Sequence, residues 1–276
     1  MVIVCLGLDA TLEGEEGDTG NEYGSGDKPN LKLPGRQLDI LKLAVESGKP
    51  VVLVELSGSA MDLSYASENV SAILQGWYPG AEGGYAIARA LFGDISPEGK
   101  LPVTFYKTSE ELPDFKDYSM KGRTYRYMKN DALYPFGYGL SYSKFTFDNL
   151  MIDTGMVSKA GVKLSVDIKN EGSRNAGEAV EVYVKVNPAD DGATNVPNYQ
   201  LKGLKKVFLR AGETKNVRIE LPAEAFSLFD EDGKQMLYKG NYEIFVGGQA
   251  PDRRSAELTG NEMLKAELTN AKTVEI

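Results

Sequence analysis

Hydrophobic residues follow different patterns in the two halves of the chain. The first half contains three continuous apolar runs of strand length, at residues 2–8, 50–56 and 70–77. Segments in which apolar residues recur at helical spacing stand between and after these runs, at residues 38–45 and 86–91. Continuous apolar strands separated by helices predict a mostly parallel sheet that helices cover on both faces. The first half is therefore predicted to be an α/β three-layer sandwich.

In the second half, apolar and polar residues alternate, as they do in strands with one buried face. The alternating segments are residues 162–168, 180–186, 207–209, 217–221 and 242–246. Turn-forming residues separate them, which predicts about seven short strands in an antiparallel, immunoglobulin-like β-sandwich. The residues after Gly260 are polar and give only a weak helical pattern.

Glycine and polar residues interrupt both patterns near residues 149–159. We therefore expect two domains, an α/β domain at residues 1–148 and an all-β domain at residues 149–276. The second would include a polar C-terminal tail.

Charge and residue types exclude several function classes. The chain has 31 basic and 40 acidic residues, a formal charge of −9, which argues against a nucleic-acid partner and suits a neutral substrate. It has no histidine, which excludes Ser-His-Asp and Cys-His catalysis and zinc sites built on histidine. We expect no cofactor and no metal. Cys5 is the single cysteine, within the first apolar run, and is predicted to be a small buried core residue.

No membrane or targeting segment is predicted. No apolar run approaches the roughly 18 residues that a membrane-spanning helix needs. The apolar stretch at residues 2–6 is too short for the core of a secretory signal and has no basic residues before it. The compartment and the oligomeric state, including a homo-oligomer, stay open.

In parallel sheets the ligand lies beyond the carboxyl ends of the strands, here in the loops at residues 9–30, 57–61 and 79–84. The first of these is rich in glycine and carries seven carboxylates: Asp9, Glu13, Glu15, Glu16, Asp18, Glu22 and Asp27. By itself, such a loop is most often a solvated surface turn. Its spacing does not fit a calcium-binding EF-hand. Trp77, just before the third loop, either stacks on a bound ligand or packs in the core.

Several longer motifs carry a family resemblance. In the first half they are LKLPGRQ at 31–37, WYPGAEGG at 77–84, AIARALFGDISPEGKLPVTF at 86–105 and YPFGYGLSY at 134–142. In this order and spacing they resemble the second domain of family 3 glycoside hydrolases. The segments LKGLKKVFLRAGET at 201–214 and YEIFVGG at 242–248 resemble the fibronectin type III-like domain that often follows.

The resemblance implies a portion of a retaining β-glycosidase that hydrolyses terminal β-linked sugars. A β-glucoside is the expected substrate, with β-xylosides as the near alternative. The family's acid/base glutamate matches Glu15 best, with Glu13 and Glu16 as competitors. Asp27 and Lys28 occupy the place of the family's Asp-Arg pair and, with Trp77, are the candidate substrate-binding residues. Because a lysine lacks the bidentate fork of an arginine, the role of that arginine is not carried over.

The resemblance also implies a partner domain. Family members carry the aspartate nucleophile on a (β/α)8 barrel, and this chain has no eightfold βα pattern. It is similar only to a part of the second domain, without that domain's first strands. We therefore expect the chain to be inactive alone and to work with a barrel from the same or another chain.

Two hypotheses from other classes stay open at this point. The chain could be a non-catalytic module used for packing or carbohydrate adhesion, but such a module has no reason to place the Glu13–Glu16 cluster beyond a strand's carboxyl end. A nucleotide-binding α/β protein is disfavoured because the G-x-G-x-x-G and Walker motifs are absent.

Overall fold

A computed structural model describes residues 1–13, 28, 30–189 and 193–276 of the chain. The chain forms two compact units. Unit 1 comprises Met1–Asp94 and Thr104–Asp117, and unit 2 comprises Ile95–Val103 and Tyr118–Ile276.

Unit 1 is an α/β unit built on a parallel sheet. Its strands are β1 (Val2–Gly7), β2 (Val51–Leu56) and β3 (Ala72–Gln75). Its helices are α1 (Ala10–Glu13), α2 (Gln37–Glu46), α3 (Ser64–Asn69) and α4 (Gly83–Leu91). The strands pair in parallel in the order β1-β2-β3, so β2 lies in the centre and its first five residues are buried. This arrangement confirms the parallel sheet predicted from the continuous apolar runs.

The prediction for Cys5 was wrong, since its side chain is exposed. Successive residues of a strand point to opposite faces of the sheet. In β1, Val4 and Leu6 are buried, whereas Ile3 and Cys5 lie on the exposed side. Buried and exposed residues therefore alternate along β1, although nearly all of them are apolar and the sequence alone does not show which face is covered.

Unit 2 is mostly antiparallel. Its strands are β4 (Phe145–Ile152), β5 (Val162–Asn170), β6 (Ala176–Pro188), β7 (Gln200–Leu209), β8 (Thr214–Leu221), β9 (Leu228–Phe229), β10 (Gln235–Leu237), β11 (Gly240–Gly247), β12 (Leu264–Asn270) and β13 (Val274–Glu275). Its helices are α5 (Thr124–Tyr127) and α6 (Arg253–Thr259). The sheets run in the orders β12-β11-β6-β7, β4-β5-β8 and β13-β10-β9.

One hydrophobic core fills unit 2. Alternate residues of β5, β6, β8 and β11 enter it, which the alternating sequence pattern predicted. Phe226 and Tyr242 are among its largest fully buried side chains and meet edge to face, with ring centroids 6.1 Å apart. The predicted α/β fold followed by an all-β sandwich is thus confirmed.

Two sequence predictions differ from the secondary structure that is observed. The residues after Gly260 are not helical but form β12 and β13, while α6 ends just before that glycine. The predicted boundary between residues 148 and 149 falls inside β4, and the domain division stays a prediction. In the described part of the chain, no helix is long and apolar enough to cross a bilayer.

Candidate active site

The carboxyl ends of the three parallel strands bring together three short segments of unit 1. The segment after β1 contains α1 and Glu13, the segment after β2 contains the Ser57–Ser59 turn, and the segment after β3 contains Tyr78. Since parallel strands end at one edge of the sheet, these segments meet there.

The Glu13 carboxylate accepts hydrogen bonds from the segments after β2 and β3. Ser59 Oγ donates to its Oε1 at 2.7 Å, and the backbone N–H of Gly58 donates to its Oε2 at 3.3 Å. Tyr78 Oη also donates to Oε2. A β-carbon at Gly58 would lie 2.8 Å from Tyr78 Cε2, so glycine is the residue that lets both side chains approach the turn.

These contacts hold Glu13 as an ionised acceptor. Partial burial alone would raise the pKa of Glu13, but the hydrogen bonds from Tyr78 and Ser59 and the charge of Lys28 outweigh it and lower that pKa. Burial, together with the same contact, raises the pKa of Tyr78 to about 12, so the phenol keeps its proton. A carboxylate held in this way is poorly suited to donate a proton near neutral pH.

Lys28 lies against the same turn. Its Nζ donates to Ser59 Oγ at 3.1 Å and to Met61 Sδ at 3.2 Å. Burial lowers the pKa of Lys28, while the charges of Glu13 and Glu55 raise it in part. Lys28 therefore places a cation beside the Ser57–Ser59 turn, within range of the charges of Glu13 and Glu55.

Glu55 lies below the turn on β2 and is fully buried. Its Oε2 is 2.9 Å from Ser57 Oγ, and Ser57 Oγ is 2.7 Å from the carbonyl oxygen of Ser59. Gln75 of β3 is the register partner of Glu55 in the parallel sheet. Within the described residues, Glu55 Oε1 and both side-chain polar atoms of Gln75 are buried without a hydrogen-bond partner.

Trp77 follows β3 with a left-handed backbone, φ 53°, which is uncommon for a bulky residue. Its ring meets the buried Phe105 edge to face, with centroids 6.3 Å apart, and the residue is only partly buried. Strained backbone of this kind clusters at functional sites. The side chain thus combines a core contact with a remaining exposed surface at the same edge of the sheet.

The structure brings together Glu13, Lys28 and the turn at the predicted edge of the sheet. Glu15, Glu16 and Asp27 lie outside the described residues. The sequence analysis placed a ligand loop at residues 57–61 without singling out Ser57 or Ser59. It missed Glu55, whose only signal was a carboxylate within the apolar run of β2. Among the described residues, no group of three or more acidic or cysteine side chains could hold a metal ion.

Comparison with protein families gives two matches. The model of the glycosyl hydrolase family 3 C-terminal domain matches residues 1–142, and the model of the fibronectin type III-like domain matches residues 178–250.

Individual relatives agree with these matches. The chain is 40% identical over 260 residues to a xylan 1,4-β-xylosidase of Xylanibacter ruminicola, covering 94% of this chain and 30% of that protein. It is 33% identical over 241 residues to a periplasmic β-glucosidase of Salmonella typhimurium, covering 83% of this chain and 31% of that protein. The chain therefore spans about a third of the length of these relatives.

A solved structure gives the same picture. A β-glucosidase from Erythrobacter marinus superposes with a TM-score of 0.80 at 30% sequence identity, covering 98% of this chain and 34% of that one. The likeness extends through both units of the chain, and it again covers a minor part of the solved protein.

Proposed function

Since this chain belongs to glycosyl hydrolase family 3, we propose that it is the part of a retaining β-glycosidase that supplies the general acid/base. Glu15 holds that role, with Glu16 as its close competitor. A (β/α)8 barrel, in the same or another chain, supplies the aspartate nucleophile. This chain alone is therefore inactive.

The observation that carries the assignment is the state of Glu13. Three hydrogen-bond donors and a nearby lysine keep it ionised, whereas a general acid must hold a proton near neutral pH. This supports Glu13 as the residue that anchors the start of the acidic loop. Glu15, two residues further along, then carries the chemistry.

The proposed chemistry proceeds in two steps. In the first, the barrel aspartate attacks the anomeric carbon while Glu15 gives its proton to the leaving oxygen, and a covalent glycosyl-enzyme forms. In the second, Glu15 takes a proton from water, and that water's oxygen displaces the aspartate from the anomeric carbon. The two carboxyl groups must approach to about 5–5.5 Å for this mechanism.

The proposed substrate is a terminal β-linked sugar. β-Glucosides and β-xylosides are both candidates, because the relatives named for these activities are similar to this chain over 94% and 83% of its length. Asp27, Lys28 and Trp77 are proposed to contact the sugar. The left-handed backbone and exposed surface of Trp77 support that role for it.

The test uses the enzyme with its barrel. We expect Glu15→Ala to slow cleavage of glycosides with poor leaving groups far more than cleavage of p-nitrophenyl glycosides, because only the former need protonation. Azide should restore part of the rate by taking the place of the missing side chain. Glu13→Gln is the matched control and should slow both substrates alike without azide rescue.

The outcome assigns the role among the three glutamates. If Glu16→Ala, but not Glu15→Ala, slows glycosides with poor leaving groups more than p-nitrophenyl glycosides, the acid/base is Glu16. If none of the three variants shows this selective slowing, the acid/base lies outside this loop. Sugar binding by the chain, with no turnover when the barrel is present, would instead favour a carbohydrate-adhesion module.

A further inference from the structure

The two short contacts of Ser57 Oγ favour a proton on a neighbouring group. Ser57 Oγ lies 2.9 Å from Glu55 Oε2 and 2.7 Å from the carbonyl oxygen of Ser59. A hydroxyl has one proton to donate, and a backbone carbonyl can only accept. If Glu55 were ionised, the single Ser57 proton would have to be shared between two acceptors, which weakens both contacts. A protonated Glu55 satisfies both, because it donates to Ser57 while Ser57 donates to Ser59.

The surroundings of Glu55 favour the same state. The residue is fully buried, and in the described part of the chain its Oε1 has no hydrogen-bond partner. An ionised carboxylate with a bare buried oxygen is costly, whereas a neutral acid loses much less on burial. Gln75 of β3 is the register partner of Glu55, and its side-chain amide is likewise buried without a hydrogen-bond partner among the described residues.

The charges that face Glu55 do not reverse this preference. Burial is the largest influence and raises the pKa of Glu55, and the negative charge of Glu13 adds to it. Ser57, Lys28 and the nearby Gln75 amide, which does not reach hydrogen-bond geometry, act in the opposite direction, but the pKa of Glu55 stays above its ordinary value. The Lys28 ammonium donates to Ser59 and Met61 and not to the Glu55 carboxyl.

We propose that Glu55 is held as a neutral carboxylic acid that donates to Ser57 and thereby positions the Ser57–Ser59 turn on which Glu13 rests. In this state the Glu55 acid donates to Ser57 Oγ across the 2.9 Å contact, Ser57 donates to the Ser59 carbonyl, and Ser59 Oγ donates to Glu13. Glu55 is a positioning residue, and its consequence for catalysis rests on the proposed function.

The first test needs only this chain. Infrared difference spectra of wild type minus Glu55→Gln at neutral pH should contain the carbonyl stretch of a protonated carboxyl group. Glu181 is another buried carboxyl group, so Glu181→Gln should remove a separate component and serves as the matched control. A difference spectrum with only the bands of an ionised carboxylate would overturn the proposal.

The second test uses the enzyme with its barrel. The amide of Glu55→Gln can still donate to Ser57, so kcat and KM should stay within about threefold of wild type. Glu55→Leu removes the donor and should lower kcat about tenfold.

The two proposals fail separately. If Glu55→Leu keeps the kcat of Glu55→Gln, the positioning role is overturned. The infrared band of a protonated Glu55 could be present while none of the variants at Glu13, Glu15 and Glu16 slows poor leaving groups selectively. In that case the proposed function is wrong, but the protonated state of Glu55 is supported.

Discussion

Gly137 has a left-handed backbone, φ 80°, beside two buried side chains of β6. An added β-carbon would lie 2.5 Å from Tyr183 Oη and 2.6 Å from Glu181 Oε2. For an alanine the left-handed conformation costs about 1 kcal/mol, and overpacking a dense site adds about 1–3 kcal/mol. We therefore expect Gly137→Ala to lower the free energy of unfolding by about 2–4 kcal/mol, measured by urea denaturation.

Gly212 provides the control for that experiment. It has a similar φ of 73°, but no described atom lies within 4 Å of the position that an added β-carbon would take there. Gly212→Ala should lower the free energy of unfolding only through the left-handed backbone, by about 1 kcal/mol. Equal losses in the two variants would mean that the contacts of Gly137 with Glu181 and Tyr183 do not matter.

Glu181 makes the stability of the chain depend on pH. Burial raises its pKa to about 7 and Glu178 adds to this, although the hydrogen bond from Tyr183 and the charge of Lys100 lower it. The folded state therefore binds this proton more tightly than the unfolded chain, where a glutamate has a pKa of about 4.3. The free energy of unfolding should fall as pH rises between these values and level off above pH 7.

Glu181→Gln isolates this effect. Between pH 5 and pH 8, wild type should lose about 2–3 kcal/mol more than the variant, because only wild type must bury an ionised carboxylate. Urea denaturation at several pH values measures the difference. Parallel pH profiles for the two proteins would show that Glu181 does not titrate in this range.

At the residue scale, sequence analysis found the acidic loop but not what holds it. Glu13 could be recognised as a candidate because it lies in a carboxylate-rich segment after a strand. The ionised state of Glu13 could not be predicted, because its hydrogen-bond donors Ser59 and Tyr78 are 46 and 65 residues away in the chain. Cys5 was misjudged for a related reason, since an apolar run does not reveal which face of a strand is covered.

The helix α6 has a capping residue at each end, Asp252 and Gly260. Before its first turn, Asp252 Oδ1 accepts from the backbone N–H of Ser255 at 2.7 Å, and its Oδ2 accepts from Tyr199 Oη at 2.9 Å. Gly260 ends the helix with φ 70°. Loss of an N-cap costs about 1 kcal/mol, and loss of the hydrogen bond from Tyr199 adds about 1 kcal/mol.

Asp252→Ala should therefore lower the free energy of unfolding by about 2 kcal/mol. Asp252→Asn keeps an oxygen for the cap and should cost less than about 1 kcal/mol. Chemical denaturation of both variants compares them. If Asn destabilises as much as Ala, the charge of Asp252 and not its capping geometry is the source of the stability.

At the element scale, the strands with strong apolar patterns were predictable and the polar edge strands were not. β2 and β6 are largely buried, so their sequences alone indicate strands. β12 is a strand because it pairs along its length with β11, and only Leu268 of β12 is buried. Its lysine and glutamate residues face solvent, and a local pattern of that kind resembles a surface helix as much as an edge strand.

At the scale of the whole molecule, the chain crosses between its two compact units three times. Residues 95–103 belong to unit 2, although they precede the predicted boundary at 148/149 by more than 40 residues. Short sequence patterns could not predict this, because residues 95–103 form no regular element of their own. Their place is set by contacts with β6, which begins far along the chain.

Those contacts include charged groups that are costly to leave unpaired. Lys100 Nζ lies 2.8 Å from Glu178 Oε1, and both side chains are largely buried. Glu98 Oε1 accepts from the backbone N–H of Gly177 at 2.8 Å, and its Oε2 pairs with Lys206 at 2.7 Å. Removing one partner of a buried ion pair costs about 3–5 kcal/mol.

A fragment of residues 149–276 should therefore be much less stable than a fragment of residues 95–276. The shorter one leaves Glu178 buried without Lys100 and cuts β4. Urea denaturation should give a cooperative transition for the longer fragment and a loss of at least about 3 kcal/mol for the shorter one. Lys100→Met in the longer fragment isolates the ion pair. If the two fragments unfold with equal free energies, residues 149–276 fold as an independent domain, and the contacts of residues 95–103 do not contribute to its stability.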